Sequence, residues 1–254
     1  MDRISVLIPT YGRFPLLQQT LRALARQDWP HTQMEIVVVS SDTPEMPPFF
    51  RAFVETQTFA AVRWLYDPPA GPARARNRAV DAAQFEILLF LDDDVVLAPD
   101  AIRRHMMAHQ KAPDPRVAFL GRVELAPSHR RTAFGRWMEE GGRHFLYPRF
   151  LPGQRLSPIR FYTAQVSLKR SFLGDLRFCE RFDAPGYEDG DLGLRLAERG
   201  LDLRYLPQAR GIHLRPADPA AYWQRVETVG CMRPILLASH PHRRHPVENI
   251  PGIT

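Results

Sequence analysis

"ILLFLDDDVVLAPDAI", residues 87–102, decides how this chain is read. An apolar run, Ile87 to Leu91, passes without a break into three adjacent carboxylates, Asp92, Asp93 and Asp94. The chain then turns apolar again. Like charges beside a buried strand repel one another and lose hydration. A hard divalent cation removes that penalty: Mg²⁺ or Mn²⁺ takes oxygen ligands and keeps places for substrate phosphates. An acidic turn in solvent is the plain alternative, since Asp is common in turns. The apolar strand feeding the trio directly favours the cation.

Working outward, apolar runs of strand length stand at "ISVLI" (4–8), "EIVVV" (35–39), "VRWLY" (62–66) and "EILLFL" (86–91). They are rich in β-branched and aromatic residues with little alternation, as strands buried on both faces of a parallel sheet are. Helical patterns separate them: Leu16 to Ala25, a weaker one at Phe49 to Val54, Ala73 to Ala83 opened by Gly71-Pro72, and Pro99 to Lys111. This βαβ series predicts an α/β fold with a doubly wound, mostly parallel sheet, whose ligands bind beyond the carboxyl ends of the strands. Asp92–Asp94 stand at such an end.

Residues 126–160 are rich in Gly, Pro, Arg and aromatics without a clean period, and read as a long excursion of the kind that covers a site. Beyond it the patterns predict a strand at 160–170, a helix at about 188–199 stopped by Gly200, a short strand at 202–207, "GIHL" at 211–214, and a helical stretch near 218–238. A basic Pro/His tail follows from residue 239.

The 254 residues suit one large α/β domain, or one domain plus a small appendage. The net charge of +6 favours anionic ligands without choosing among phosphates, nucleic acid and a membrane surface. Cys179 and Cys231 form no C-x-x-C motif and read as reduced thiols of a cytosolic protein. The opening "MDRISVLIPTYGR" lacks a signal-peptide pattern, and no apolar run approaches the roughly 18–20 residues of a membrane helix.

Four further segments carry chemistry. In "GPARARNRAV" (71–80), a helix start bears Arg74, Arg76 and Arg78, a setting that attracts phosphate; an exposed basic face is the alternative. In "FDAPGYEDGDLGLRLAERG" (182–200), Glu188, Asp189 and Asp191 crowd a helix start. Acids there suit the helix dipole, and one held at a cleft edge also serves as a general base. His213 follows a short strand and is a candidate nitrogen ligand, although a lone His is usually structural. His105 and His109, at i and i+4, have a spacing zinc can use but lack a third ligand. "HPHRRH" (240–245) is a solvated tail or a contact for anionic lipid or nucleic acid.

In this order, "VLIPTYGR", "GPARARNRAV", "LFLDDDV" and "GYEDGDLGLRL" resemble the family 2 glycosyltransferases of the GT-A fold, with the third piece as a DxD-type and the fourth as an ED-type motif. "TAQVSLKR" and "GIHL" also match comparable segments. The resemblance implies a GT-A domain over 1–215, with a nucleotide-sugar-binding half (1–125) and an acceptor half (126–215), followed by a C-terminal helix and basic tail (216–254). It implies transfer of a sugar from a UDP-, GDP- or dTDP-type nucleotide-sugar to an acceptor hydroxyl, usually inverting and with Mn²⁺ or Mg²⁺. The acceptor would be a carbohydrate, a lipid-linked molecule or another hydroxyl compound. No nucleic-acid partner is expected. The expected location is cytoplasmic, with peripheral contact at the inner membrane face through the basic tail.

By position, the resemblance implies that Pro9, Thr10, Tyr11 and Arg13 line the nucleotide pocket. Arg74, Arg76 and Asn77 would border the base and diphosphate. Asp92 and Asp93 would lie near ribose and metal, Asp94 would be the chief metal ligand, and His213 would complete its shell. Gln165 would face the donor sugar. Asp189 would be the base, with Glu188 and Asp191 around it. One departure stands out: the family commonly has two acids before a Gly-Ser where this chain has Ser40 and Ser41, with Asp42 shifted along. That opens the nucleobase preference.

Trp137, Phe145, Tyr147 and Phe150 are candidates for stacking on a sugar or packing on a lipid-linked acceptor, or for ordinary packing. Three other readings stand beside this one. A nucleotidyltransferase would need a Gly-rich loop with Lys after the first strand, which "IPTYGRFP" lacks. A non-catalytic sugar- or nucleic-acid-binding module is disfavoured by the intact acidic segments. A retaining transferase on the same fold is separated only by the product's anomeric configuration.

Overall fold

The computed structural model describes residues 3–242. The strands are β1 (Ile4–Thr10), β2 (Met34–Ser40), β3 (Ala61–Tyr66), β4 (Ile87–Leu91), β5 (Val95–Leu97), β6 (Val117–Leu125), β7 (Gln165–Lys169) and β8 (Asp202–His213). The helices are α1 (Phe14–Leu24), α2 (Pro48–Thr56), α3 (Pro72–Ala82), α4 (Ala101–Lys111), α5 (Pro127–Arg130), α6 (Ala133–Glu140), α7 (Arg170–Leu173), α8 (Glu188–Glu198) and α9 (Pro219–Ser239).

One sheet of eight strands carries the chain, in the order β3-β2-β1-β4-β7-β6-β8-β5. The half from β3 to β4 is parallel, as its unbroken apolar runs require. β7 lies antiparallel between β4 and β6, β6 and β8 are parallel, and β5 is antiparallel to β8. The fold is α/β with a mixed, mostly parallel sheet, as expected. β1, β2 and β4 are buried along almost their whole length, and their Ile, Val and Leu side chains form the main core with α1, α3 and α4.

Several sequence expectations need correction. β7 begins at Gln165; residues 158–160 form a single 3-10 turn instead of strand. The short strand expected at 202–207 runs on to His213 as β8, taking in most of "GIHL". β5 and β6 carry no expectation. β6 slips register between Gly121 and Arg122, and a Cβ on Gly121 would stand 2.5 Å from the Gln165 side chain. The excursion at 126–160 is ordered as α5, α6 and two 3-10 turns.

Gly71 precedes α3 at φ 86°, and a Cβ there would lie 2.7 Å from the Asp183 backbone carbonyl. Glycine thus lets the start of α3 sit directly against the segment leading to α8. A second apolar cluster, Phe182, Tyr187, Leu194, Met232 and Leu236, docks α9 onto α8. Cys179 and Cys231 are both free. Among the described residues no helix is long and apolar enough to cross a membrane. Of the "HPHRRH" tail, residues 243–245 lie outside the described residues, with the rest of the chain to 254.

Candidate active site

A cavity of about 710 Å³ opens at the carboxyl ends of β1 and β4, and the three adjacent carboxylates divide around it. Asp92 and Asp94 line it, whereas Asp93 is fully buried beneath. Asp93 accepts the Thr10 hydroxyl at 2.7 Å and pairs with the Arg13 guanidinium at 2.6 Å. Burial, helped by Asp94, pushes the Asp93 carboxyl up to about 7 against the pull of Arg13 and Thr10. Asp93 therefore organises the β1 loop and does not reach the ribose position expected of it.

Asp94 meets His213 through sheet register. Val95 of β5 pairs with His213 of β8, and the Leu214 N–H donates to the Asp94 carbonyl at 2.8 Å. The His213 Nε2 then stands 3.3 Å from Asp94 Oδ1, while Arg13 holds Oδ2 at 2.6 Å. Burial would raise the Asp94 carboxyl, but His213, Arg13 and Arg215 outweigh it and hold it well below the usual range. His144, from the excursion, places its Nε2 3.2 Å from His213 Nδ1.

The arginines of α3 do three different things. Arg74 pairs with Asp67 at 2.9 Å and stays half exposed. Arg78 is exposed. Arg76 is buried and bridges the two acidic motifs: it donates to Glu188 at 2.8 Å and to Asp92 at 3.1 Å. It touches the cavity, but its charge is committed to carboxylates, so it is a strut where a diphosphate clamp was expected. Asn77 faces away from the cavity and clasps residues 178–180, donating to the Phe178 carbonyl and to Glu180 and accepting the Phe178 N–H.

The ED segment divides in the same way. Glu188 accepts from Arg76 and from the Gly186 N–H. Asp191 is buried between Arg195 and His240 and ties α8 to the end of α9, away from the cavity. Asp189 lines the cavity and keeps partial access to solvent. Burial first, then the neighbouring Glu188, pushes its carboxyl up to about 7; Arg76 and backbone N–H donors from Gly190 and Thr163 restrain the shift. A carboxylate titrating near the working pH is suited to take a proton.

Pro9, Thr10, Tyr11, Arg13 and Ser41 line the cavity. Ser40 is buried, and its hydroxyl accepts the N–H groups of Asp42 and Thr43. Asp42 accepts the Gly12 N–H at 2.7 Å and so braces the β1 loop. Gln165 is fully buried, donating to the Ala209 carbonyl and lying 3.2 Å from His105 Nε2, so it does not face a sugar in the cavity. His105 and His109 share the Ser167 hydroxyl at 2.8 and 2.9 Å, a buried polar layer where zinc was one alternative. Phe145 lines the cavity, Tyr147 packs inward on Tyr205, Phe150 packs on both, and Trp137 stays exposed. Sequence reasoning missed His144, Thr163, Arg215, Tyr222 and Arg225, all at the cavity; no local pattern marks them.

Residues 5–166 match the family described as Glycosyl transferase family 2. The chain belongs to that family. It is 28% identical over 240 residues to the validoxylamine A glucosyltransferase of Streptomyces hygroscopicus subsp. jinggangensis, covering 82% of this chain and 54% of that one. It is 29% identical over 103 residues to the poly(ribitol-phosphate) beta-N-acetylglucosaminyltransferase TarS of Staphylococcus aureus, covering 41% of this chain and 18% of TarS. The chain thus spans from under a fifth to about half of these relatives. Among solved structures, S. aureus TarS 1-349 with UDP-GlcNAc superposes at TM-score 0.67 with 16% identity, covering 94% of this chain and 67% of that one. The mannosyltransferase PcManGT of Pyrobaculum calidifontis, with GDP-Man and Mn²⁺, superposes at 0.65 with 23% identity, covering 94% and 70%. These likenesses identify the GT-A fold.

No group of three or more His, Cys, Asp or Glu is gathered for a metal among the described residues. Yet Asp94 Oδ1 is buried with no hydrogen bond and faces the His213 nitrogen at the cavity. One oxygen and one nitrogen ligand, with the remaining positions open to phosphate oxygens and water, fit Mn²⁺ or Mg²⁺.

Proposed function

We propose that this family 2 chain transfers a sugar from a nucleotide-sugar to an acceptor hydroxyl, with inversion at the anomeric carbon. The observation that carries the reading is the cavity itself. It joins Asp94, His213 and Arg13 at one side with Asp189, a carboxylate raised to about 7, at another. Asp94 and His213 would hold a divalent cation, which supplies charge stabilisation for the departing diphosphate.

Asp189 takes the proton of the acceptor hydroxyl as its oxygen bonds to the anomeric carbon from the face opposite the leaving group. The bond from that carbon to the diphosphate oxygen breaks, and the nucleoside diphosphate leaves with the bonding pair. The anomeric carbon gains oxocarbenium character on the way. Arg13 supplies a fixed positive charge beside the leaving group. Arg76 bridges Asp92 and Glu188 and so ties the two sides of the cavity together. Ser41 and the β1 loop offer neutral hydrogen-bonding groups to a nucleobase.

The test is a panel of UDP-, GDP- and dTDP-sugars incubated with Mn²⁺ and candidate hydroxyl acceptors, read by nucleoside diphosphate release and by the anomeric configuration of the product. Release with one donor and an inverted product supports the reading. A retained configuration replaces the inverting route, and no release with any donor counts against transfer.

A further inference from the structure

His144 lines the cavity and has no role in the transfer described above. Its Nε2 stands 3.2 Å from His213 Nδ1. That nitrogen is the far one of the His213 ring, since His213 Nε2 faces Asp94 Oδ1 at 3.3 Å. His144 therefore stands behind His213, on the side away from Asp94.

The contact is built into the chain on both sides. α6 ends at Glu140, and Gly142 turns the backbone at φ 66°, a conformation glycine takes at little cost. The N–H groups of Arg143 and His144 then both donate to the Met138 carbonyl, at 2.8 and 3.2 Å. The His144 ring packs on Phe145 with 4.5 Å between centroids, and Phe145 packs in turn on Tyr147 and Tyr162. Across from it, the pairing of β6 with β8 fixes His213 opposite Leu125. Each ring is thus held by its own element, and the two nitrogens meet between them.

A neutral imidazole has one N–H and one lone pair. For His213 Nε2 to give its lone pair to a cation, the proton must sit on Nδ1, and that N–H needs an acceptor. His144 Nε2 is the atom placed to accept it. The reverse bond, from a His144 Nε2–H to His213 Nδ1, would leave the His213 proton on Nε2, aimed at Asp94. The direction of one hydrogen bond therefore decides whether His213 offers a lone pair or a proton. We infer that His144 is a positioning residue for the cation: it accepts the His213 Nδ1–H, keeps its own proton on Nδ1, and so turns the His213 Nε2 lone pair toward the cation beside Asp94. The inference rests on the reading of Asp94 and His213 as cation ligands. Through His144 the excursion takes part in holding the cation.

The experiment uses the full chain with Mn²⁺ as the probe, alone and with UDP or GDP present, and reads bound Mn²⁺ by electron paramagnetic resonance. His144→Phe keeps a ring against Phe145 and removes the acceptor. His144→Gln returns a side-chain acceptor of similar reach. His144→Phe is expected to weaken Mn²⁺ binding about tenfold to hundredfold, the loss typical when the partner of a metal-bound imidazole is removed. His144→Gln should recover most of it, whereas a merely structural His144 would make the two losses alike. In parallel, ¹⁵N spectra read the tautomers with diamagnetic Mg²⁺ in place of Mn²⁺, the two rings being assigned from His144→Gln and His213→Gln. Both are expected to carry the proton on Nδ1. A His144 ring protonated on Nε2 overturns the proposal, because it then donates to His213. Equal losses in His144→Phe and His144→Gln also overturn it. Mn²⁺ uptake by wild type that His144→Phe leaves unchanged overturns the proposal alone. No Mn²⁺ uptake by wild type overturns the reading of Asp94 and His213 as ligands, and the proposal with it.

Discussion

The Asp94 carboxylate and the His213 imidazole, 119 positions apart in the chain, stand 3.3 Å apart because three residues of β5 pair with the end of β8. That pairing is what brings the acidic segment and the late histidine to one point. Asp94→Ala is expected to abolish the part of nucleoside diphosphate affinity that depends on Mn²⁺, and His213→Ala to weaken it. Calorimetry with and without Mn²⁺ checks both. Affinity in Asp94→Ala that still rises with Mn²⁺ would place the cation elsewhere.

Arg76 joins residues of the two acidic motifs from a nearly closed site. Removing one partner of a buried ion pair costs about 3–5 kcal/mol, since the other charge is left uncompensated. Arg76→Met should lose stability of that order in urea unfolding. Arg76 also holds the Asp189 carboxyl down, so its loss moves the acid limb of the pH–rate profile to higher pH. An unmoved limb in an otherwise folded variant would show that Arg76 does not act on the base.

His105 and His109 make a prediction about acid. Burial holds His105 at about 3, and burial with Lys169 and His105 nearby holds His109 well below its ordinary value. The unfolded chain takes up protons near pH 6.5 that the folded chain refuses. Stability is therefore full above about pH 6.5 and falls as pH drops toward the folded values, by up to about 1.4 kcal/mol per pH unit for each imidazole. Unfolding free energies measured from neutral pH down to about pH 5 should show this slope, and His109→Gln should reduce it. An equal slope in that variant would assign the acid sensitivity to other groups.

The parallel half of the sheet was legible because β1, β2 and β4 are buried on both faces, and their sequences are apolar throughout. β6 was not, although it is as central. Gly121, Arg122 and Glu124 interrupt its pattern, and Glu124 is tolerated there because Arg122 and Arg210 reach it at 2.6 and 2.9 Å. The cavity acids Asp92, Asp94 and Asp189 were legible as motifs. Which neighbours turn inward was not: Asp93, Asp191 and Gln165 share those motifs and strands, yet their partners are Arg13, His240 and His105. Such partners lie far away in sequence, as Arg76 and Glu188 do at a separation of 112. His144, Arg215 and Arg225 come from segments without a period, and only the folding of the excursion and α9 over the strand ends brings them to the cavity.

Asp189 as the base is the step on which the proposed transfer depends. The most direct measurement compares wild type with Asp189→Asn on the best donor of the panel, reading turnover and nucleoside diphosphate affinity on the same preparations. Asparagine keeps the shape and can still accept the Gly190 N–H, but cannot take a proton. The expected result is a loss of about 10²–10⁴ in turnover with donor affinity nearly unchanged, and a wild-type rate that rises with pH through about 7 as the carboxyl ionises. Near-normal turnover in Asp189→Asn, with the same pH dependence, would contradict the assignment.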